Sequence, residues 1–600
     1  MDSAYKTPSS LRSVLLFRPG AAELLACAAA ALAYVATLGF GFVYDDVPQI
    51  LKNPAIQTWN SVPQYFTAHV WAAIYPNSAG NYYRPIFLLW LRLNYWLFGT
   101  NAPGWHLTSV GCHVVATLLL FRLAQRLSGD RMTAFVAALV FGLHPAHVEN
   151  VAWISGVTDP LMTCFLLGSL LAFLGYRASR AVGRWALSLG LFALALLSKE
   201  TAVVLPLLIF TLAFIAPVAS ESSEIRTLAP PDAKGSKRFV FAFRACFPYL
   251  LLVLLYALVR VRALERWSRP TVPIGWKNVL LTWPAALWFY VRHLTLPLRL
   301  SEFYALDYVA KATIKTVLVP LVLVLAAALI YLFVVRELAR KNVAWFALVL
   351  IVVPLLPVLD LRSLTVGDIV HDRYLYLSTA GFALLAALVW RELEDRLGEG
   401  RLSFLPLAMV VAIAFGFAGV TVVEQMQWAN DIALYTRGLE SAPDNLTVRD
   451  NLANAWLAAN RPERAIPLYL EVLRRNPSFW RSNYNLGFAY FKTGNFPGAE
   501  DYLQRAIGID ASDSDQYIYL ALTQLQLKKV PEAASSARSA IARNPRARGY
   551  HFVSGLILEA AEDRVGAAAE FKNEIAEHPD NSAAAAELEK IEATELPAKR

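Results

Sequence analysis

Long apolar runs broken by short, mostly basic stretches fill the chain to about residue 423, after which it turns polar, alanine-rich and helical in period to residue 600. Crossing hydrocarbon takes roughly 17–25 apolar residues of helix. Eleven segments qualify: 21–43, 104–127, 132–148, 159–176, 181–198, 201–219, 239–261, 312–335, 342–359, 374–390 and 402–423. The pattern predicts an all-α chain, a polytopic membrane bundle of about 11 transmembrane helices over residues 1–425, followed by a soluble helical domain. Lys6, Arg12 and Arg18 precede a first apolar run that is too long for a signal-peptide core, so it reads as a retained helix.

Basic residues then set the expected sidedness. Arg122, Arg126 and Arg131 fall between alternate crossings, as do Arg177, Arg180 and Arg184, then Arg226, Lys234, Lys237 and Arg238, then Arg336, Arg340 and Lys341, then Arg391, Arg396 and Arg401. The positive-inside rule makes those loops and the N-terminus cytoplasmic. An odd number of crossings puts the C-terminal domain outside, together with the loops 42–103, 149–158, 262–311 and 360–373. Within 262–311 the charges Arg262, Arg266, Arg269, Lys277, Arg292, Arg299 and Lys311 surround an apolar stretch, 279–297, whose Trp283, Trp288 and Tyr290 suit an interfacial or re-entrant helix. Were that stretch a twelfth crossing, the C-terminal domain would be cytoplasmic.

From residue 443 a 34-residue period appears: Pro443, Pro477, Ala511, Pro545 and Pro579 share a register, as do Ala465, Ala499, Ala533 and Ala567. Leu452-Ala453, Leu486-Gly487, Leu520-Ala521 and Ser554-Gly555 mark the small positions where paired helices touch. This is the tetratricopeptide pattern. It predicts four repeats over 443–580, a linker over 426–442, and a capping helix and tail over 581–600. Stacked helix pairs form a superhelix with a concave peptide-binding face; a passive spacer or an oligomerisation module is the other use of such an array.

Composition narrows the class further. With 56% hydrophobic and 17% charged residues, the chain is too apolar for a soluble enzyme of this length. The net charge of +9 is dispersed in topology-setting tracts, so nucleic acid is not an expected partner. The four cysteines, Cys27, Cys112, Cys164 and Cys246, all lie in apolar segments without metal-ligand spacing. P-loop, dinucleotide and nucleophile-elbow signatures are absent, which favours a donor arriving through the bilayer.

Polar clusters gather at the outer helix ends. Asp45-Asp46 follows the first crossing, and an ionised carboxylate beside hydrocarbon is costly and usually kept for function. One aspartate can act as general base toward an acceptor hydroxyl while the other orients it or binds a cation. His144, His147 and Glu149 form a loop suited to a sugar or headgroup. Its His-x-x-His spacing is zinc-like, but Pro145 breaks the helical face and no third ligand is evident, so the metal is left unassigned. Lys199 and Glu200 interrupt two apolar helices, either as a phosphate contact or as a hairpin pair bonded to each other. Asp372, Arg373 and Tyr376 precede the tenth crossing, where Arg373 can grip a phosphate oxygen and Tyr376 can donate to it. Arg84 is a second phosphate candidate, or an anchor for a surface helix.

FVYDD, YYRPIFLLWLRLNYWLFG, HPAHVENVAWISGVTDPL, LLSKET, WFYVRHLTLPLRL and HDRYLYLSTAGF resemble, in order, the membrane half of the transmembrane and tetratricopeptide-repeat O-mannosyltransferases of the GT-C glycosyltransferase superfamily. The resemblance spans nearly the whole chain. It implies a GT-C bundle, inverting transfer of a hexose from a polyprenyl-phosphate-linked donor on the non-cytoplasmic face, and a polypeptide Ser/Thr acceptor presented by the repeats. Asp45 and Asp46 match the family's acidic pair, and His144, His147 and Glu149 its His-Pro-x-His-x-Glu loop. Lys199 and Glu200 match its Ser-Lys-Glu, and Asp372, Arg373 and Tyr376 its Glu-Arg-x-Leu-Tyr element. The sequence departs at Asp372, where Glu is usual, and at Ser378, which lacks a preceding Pro. No cofactor is indicated beyond the polyprenyl-phosphate-sugar donor substrate, and a divalent metal is left open. A bacterial inner membrane is the expected location, with the repeats periplasmic. Two rivals are weighed: glycosylation of a lipid or surface polysaccharide, and a non-catalytic membrane scaffold.

Overall fold

The computed structural model describes residues 20–76, 80–215, 235–265, 274–364, 367–398 and 404–595. Lys6, Arg12, Arg18, Arg226, Lys234, Arg266, Arg269, Arg401 and the last residues of the tail lie outside them. Two compact units follow each other, Met1–Ala442 and Pro443–Arg600.

In the first unit each expected apolar segment contains helix within its described residues. Among the described residues seven helices are long and apolar enough to cross a membrane by length and composition. A pair bent by 53°, Arg131–Leu143 with Pro145–Ala152, makes an eighth if it is one span, fewer than the eleven expected, and Ala21–Ala33, Val182–Ser198 and Glu200–Phe214 are apolar but shorter. The helices that build the site are α1 (Ala21–Ala33), α2 (Pro85–Phe98), α3 (Ala102–Ser128), α4 (Arg131–Leu143), α5 (Thr158–Ser179), α6 (Val182–Ser198), α7 (Leu205–Phe214), α8 (Gly235–Leu264), α9 (Trp276–Thr295), α10 (Val319–Glu337), α11 (Lys341–Val352), α12 (Tyr376–Leu397) and α13 (Leu405–Glu424).

Local chemistry fixes the reversals. Gly129, at φ 71°, ends α3 in the left-handed conformation that glycine adopts without a Cβ clash. Asp130 then accepts the Thr133 N–H at 2.8 Å and starts α4. At the far end of α4, Pro145 cannot extend the helix, and His144 caps the following turn by accepting the Ala146 N–H at 3.2 Å. The basic loops meet at the end opposite this turn: Glu23 at the start of α1 binds Arg131 at 2.8 Å and Arg122 at 3.4 Å.

Helix α9 does not run down the bundle. Trp283 donates to the Leu359 carbonyl at 2.9 Å, Thr282 accepts from the Val309 N–H, and the Leu294 carbonyl meets His144 Nε2 at 3.0 Å. These partners all lie at helix ends on the site side, so α9 lies across that end, as its interfacial tryptophans suggest. Residues 426–442 differ from the expected linker. After α13 the chain turns at Trp428 and forms α14 (Asp431–Ser441), whose Leu434 and Tyr435 are buried in the first unit. Trp428 stacks on Trp153 at 5.5 Å, and apolar burial of these rings holds the segment down.

The second unit contains four helix pairs: Leu446–Ala458 with Pro462–Arg475, Trp480–Thr493 with Phe496–Ile509, Ser514–Gln526 with Val530–Arg543, and Tyr550–Ala560 with Arg564–Glu577. The in-register Ala465, Ala499, Ala533 and Ala567 are all fully buried. A Cβ on Gly487 would meet Leu503 at 2.7 Å, and one on Gly555 would meet Phe571 at 2.4 Å, which is why these positions are small. The helix Ser582–Glu595 caps the array by covering Phe571 with Ala584 and Ile591.

Candidate functional site

Tyr44 prepares the first outer loop. It has φ 54°, a left-handed backbone that a bulky residue rarely adopts. Its N–H donates to Asp431 at 2.9 Å, and its ring is wedged among Trp153, Phe303 and Tyr435. The turn sends the two following carboxylates in different directions. Asp46 points inward and is fully buried: it accepts the Ser155 N–H at 2.9 Å, the Ser155 hydroxyl at 2.6 Å and the Val43 N–H at 3.3 Å. Asp45 points into a cavity of about 350 Å³.

Both carboxyls bind protons more tightly than usual. Burial pushes Asp45 up to about 6 against the pull of the Arg373 charge. Burial pushes Asp46 to about 7, opposed by its bonds from Ser155 and Val43 and assisted by the Asp45 charge. Asp45 is thus poised to exchange a proton near neutral pH.

The cavity wall opposite is cationic and aromatic. Arg84, just before α2, grips Glu200 with two bonds of 2.9 and 2.5 Å. Lys199, at the end of α6, bonds Asp159 at 2.5 Å, and Asp159 also accepts from Asn150 at 3.0 Å. Lys199 and Glu200 therefore do not pair with each other. Arg373 bonds both Glu149 and Glu302, the latter at 2.9 Å, while its N–H donates to Glu149 at 3.0 Å. Arg260, near the end of α8, donates to the Asn81 carbonyl at 2.7 Å and to the Tyr256 hydroxyl at 3.3 Å. Trp153, Tyr82 and Tyr374 supply flat apolar faces between these charges.

Among the described residues one set of side chains has the composition of a metal site: ligand atoms of Glu149, Glu302 and His371 lie within 4.8 Å of one another. Arg373 already stands between the two carboxylates, so a guanidinium supplies the positive charge there. Burial and the Glu149 charge raise the Glu302 carboxyl well above its ordinary range, and burial with the Arg373 charge keeps His371 neutral.

The first unit matches the family model described as dolichyl-phosphate-mannose-protein mannosyltransferase over residues 83–226. The second matches a tetratricopeptide repeat model over 451–514 and 520–582. Similar proteins include the Protein O-mannosyl-transferase F38B6.6 of Caenorhabditis elegans, 26% identical over 74% of this chain and 61% of that protein. The Drosophila melanogaster Protein O-mannosyl-transferase Tmtc1 is 27% identical over 79% of this chain and 64% of its own length. The chain is thus similar over most of its length to proteins named protein O-mannosyl-transferases. It spans about three-fifths of the length of the curated relatives it matches. Among solved structures, the crystal structure of MamA aligns with 28% of the chain and 96% of MamA, at 22% identity and a TM-score of 0.25.

Of the residues that the family's motifs nominate, Asp45, Arg84, Lys199, Glu200 and Arg373 line the cavity together. Glu149 lies behind Arg373, and Asp372 behind that, bonded to the Tyr304 hydroxyl and 3.1 Å from His293. His144 spends both ring nitrogens on backbone groups, and His147 meets the Thr379 hydroxyl inside a packed aromatic group. Tyr376 is fully buried, with its hydroxyl on His113 at 2.8 Å. These five support the site without reaching the cavity. Glu302, bonded to Arg373, and Arg260 and Tyr82, in the cavity wall, are further residues of the site that sequence reasoning does not nominate. A lone acid in LSEFYALD and a lone arginine near a helix end are the signals the sequence offers.

Proposed function

We propose that the chain transfers a hexose, mannose by the names of its relatives, from a polyprenyl-phosphate-linked donor to Ser/Thr hydroxyls of a polypeptide, with inversion at the anomeric carbon. One observation carries the reading. Once the ion pairs Arg84–Glu200, Lys199–Asp159, Arg373–Glu149/Glu302 and Arg362–Asp360 are set aside, Asp45 is the carboxylate of the cavity wall left without an ion-pair partner among the described residues. A free carboxylate titrating near 6 is the general base the reaction needs.

In the proposed step Asp45 takes the proton of the acceptor hydroxyl. The hydroxyl oxygen forms its bond to the anomeric carbon as the bond from that carbon to the phosphate oxygen breaks, and polyprenyl phosphate leaves with the electron pair. The cationic wall favours the charge that develops on the leaving phosphate. Asp46 positions the loop through Ser155 and does not touch the reacting atoms.

The same unit supports a sidedness: the basic Arg122 and Arg131 lie at the end opposite the cavity, which favours a non-cytoplasmic cavity under the positive-inside rule. In this reading the repeats take up the polypeptide acceptor in the same compartment. The test uses the full chain in detergent with a mannosyl-phosphoryl-polyprenol donor and a Ser/Thr peptide. Asp45→Asn should abolish transfer, and full activity in that variant refutes the reading.

A further inference from the structure

The set of ion pairs that isolates Asp45 isolates one cation as well, and it is not among those the family's motifs nominate. Arg84, Lys199 and Arg373 are each bonded to one or more carboxylates. Arg260 also lines the cavity, yet among the described residues it has no carboxylate within ion-pair distance. Two of its five N–H groups go to neutral oxygens, the Asn81 carbonyl and the Tyr256 hydroxyl. A guanidinium only 8% exposed, whose nearby carboxylate Glu200 is already bonded to Arg84, is expensive to keep at a membrane surface unless an anion completes it.

Resting on the proposed transfer reaction, we infer that Arg260 is the principal ligand of the donor phosphate, and that Arg84, Lys199 and Arg373 chiefly hold the carboxylates that shape the wall. The charge change of the reaction supports this. The donor is a phosphodiester with one negative charge, and bond cleavage leaves a phosphate monoester carrying up to two. A cation already bonded to a carboxylate gains little from that second charge, whereas Arg260 makes no such bond and acts on Glu200, which Arg84 holds, only at longer range. Its planar fork still has N–H groups free to meet two phosphate oxygens, as arginine does with phosphates generally. The bonds to Asn81 and Tyr256 fix the plane of the fork, so little side-chain freedom is lost on binding.

The experiment measures binding of polyprenyl phosphate and of the uncharged polyprenol to the full chain in detergent. The wild type should prefer the phosphate. Arg260→Gln should weaken polyprenyl phosphate by about 10–100-fold, the range of a charge-assisted hydrogen bond, while binding polyprenol as the wild type does. Arg260→Lys should fall between. An Arg260→Gln variant that binds both lipids like the wild type, or that loses both equally, overturns the assignment and leaves the transfer reading standing. A wild type that binds phosphate and alcohol alike defeats the phosphate-donor reading itself. If Arg260→Gln does not fold, phenylglyoxal labelling of the wild type decides. Polyprenyl phosphate should block modification of Arg260 and polyprenol should not, and equal modification with either lipid overturns the inference.

Discussion

Changing Asp45 to Asn should produce an enzyme that is inactive and yet more stable. Burial raises the Asp45 carboxyl from 3.8 to about 6, so the folded protein binds this proton more tightly than the unfolded chain does. The sign follows directly: no penalty exists below pH 3.8, it grows as pH rises, and it is complete above about 6. The difference of about two pH units corresponds to about 3 kcal/mol at full burial. Asp45 is half-buried and faces the cavity, where solvent screening reduces the expected gain to about 1–2 kcal/mol. Asn removes that penalty at pH 7 and removes the base, so kcat/KM should fall about 10²–10⁴-fold. In the wild type, kcat/KM should drop about tenfold per pH unit below about 6, and the residual activity of the variant should lack that limb. Asp46→Asn relieves a penalty of the same sign, since its carboxyl is pushed up to about 7, but its amide would turn an N–H toward the Val43 N–H at a cost of about 1–3 kcal/mol, so it should gain less stability than Asp45→Asn and keep the base. Chemical denaturation of both variants at pH 7, with activity in parallel, makes the comparison. An Asp45→Asn protein that is less stable than the wild type, or that keeps more than a tenth of its kcat/KM, refutes the argument.

Asp431→Ala should lower kcat with little change in donor affinity, because it frees the Tyr44 N–H and lets the strained turn relax away from the cavity. Single-turnover kinetics beside donor binding would show the split, and unchanged kcat would argue against the tether. Lys199→Met should destabilise the first unit by about 3–5 kcal/mol, since Asp159 would remain buried without its cation. Adding Asp159→Leu should restore most of that loss in the same denaturation assay. Gly555→Ala should destabilise the repeat unit by about 1–3 kcal/mol, because the new methyl would stand 2.4 Å from Phe571, as read by loss of helical circular dichroism on heating.

The periodic parts of this chain were the legible ones. Apolar runs of span length and the 34-residue register give the helices and repeats because burial in lipid or in a helix stack acts on many residues at once. Two acids at the end of an apolar run stand out in the sequence because they have few structural uses. That Asp46 faces Ser155 was not legible, since the partners are 109 residues apart. The same distance problem hides Arg84 on Glu200 and Arg373 on Glu302. Three cations that look free in the sequence are therefore bonded to carboxylates in the fold, whereas Arg260, in an otherwise ordinary helix, has no carboxylate within ion-pair distance among the described residues. The histidines misled for a local reason: His144 looks like a ligand but caps the turn that Pro145 forces. Residues 426–442 read as a linker because polarity dominates them, whereas Trp428, Leu434 and Tyr435 decide their placement.

The bond from Tyr44 to Asp431 joins residues 387 positions apart. During synthesis the loop bearing Asp45 emerges with the earliest helices, long before its anchor has been translated. The turn that aims the carboxylate can lock only after the last membrane helix has been threaded and the chain has returned to the same face. A ribosome-stalled or prematurely ended product thus holds every residue of the cavity while its proton acceptor is still untethered, and competence arrives with completion of the membrane unit.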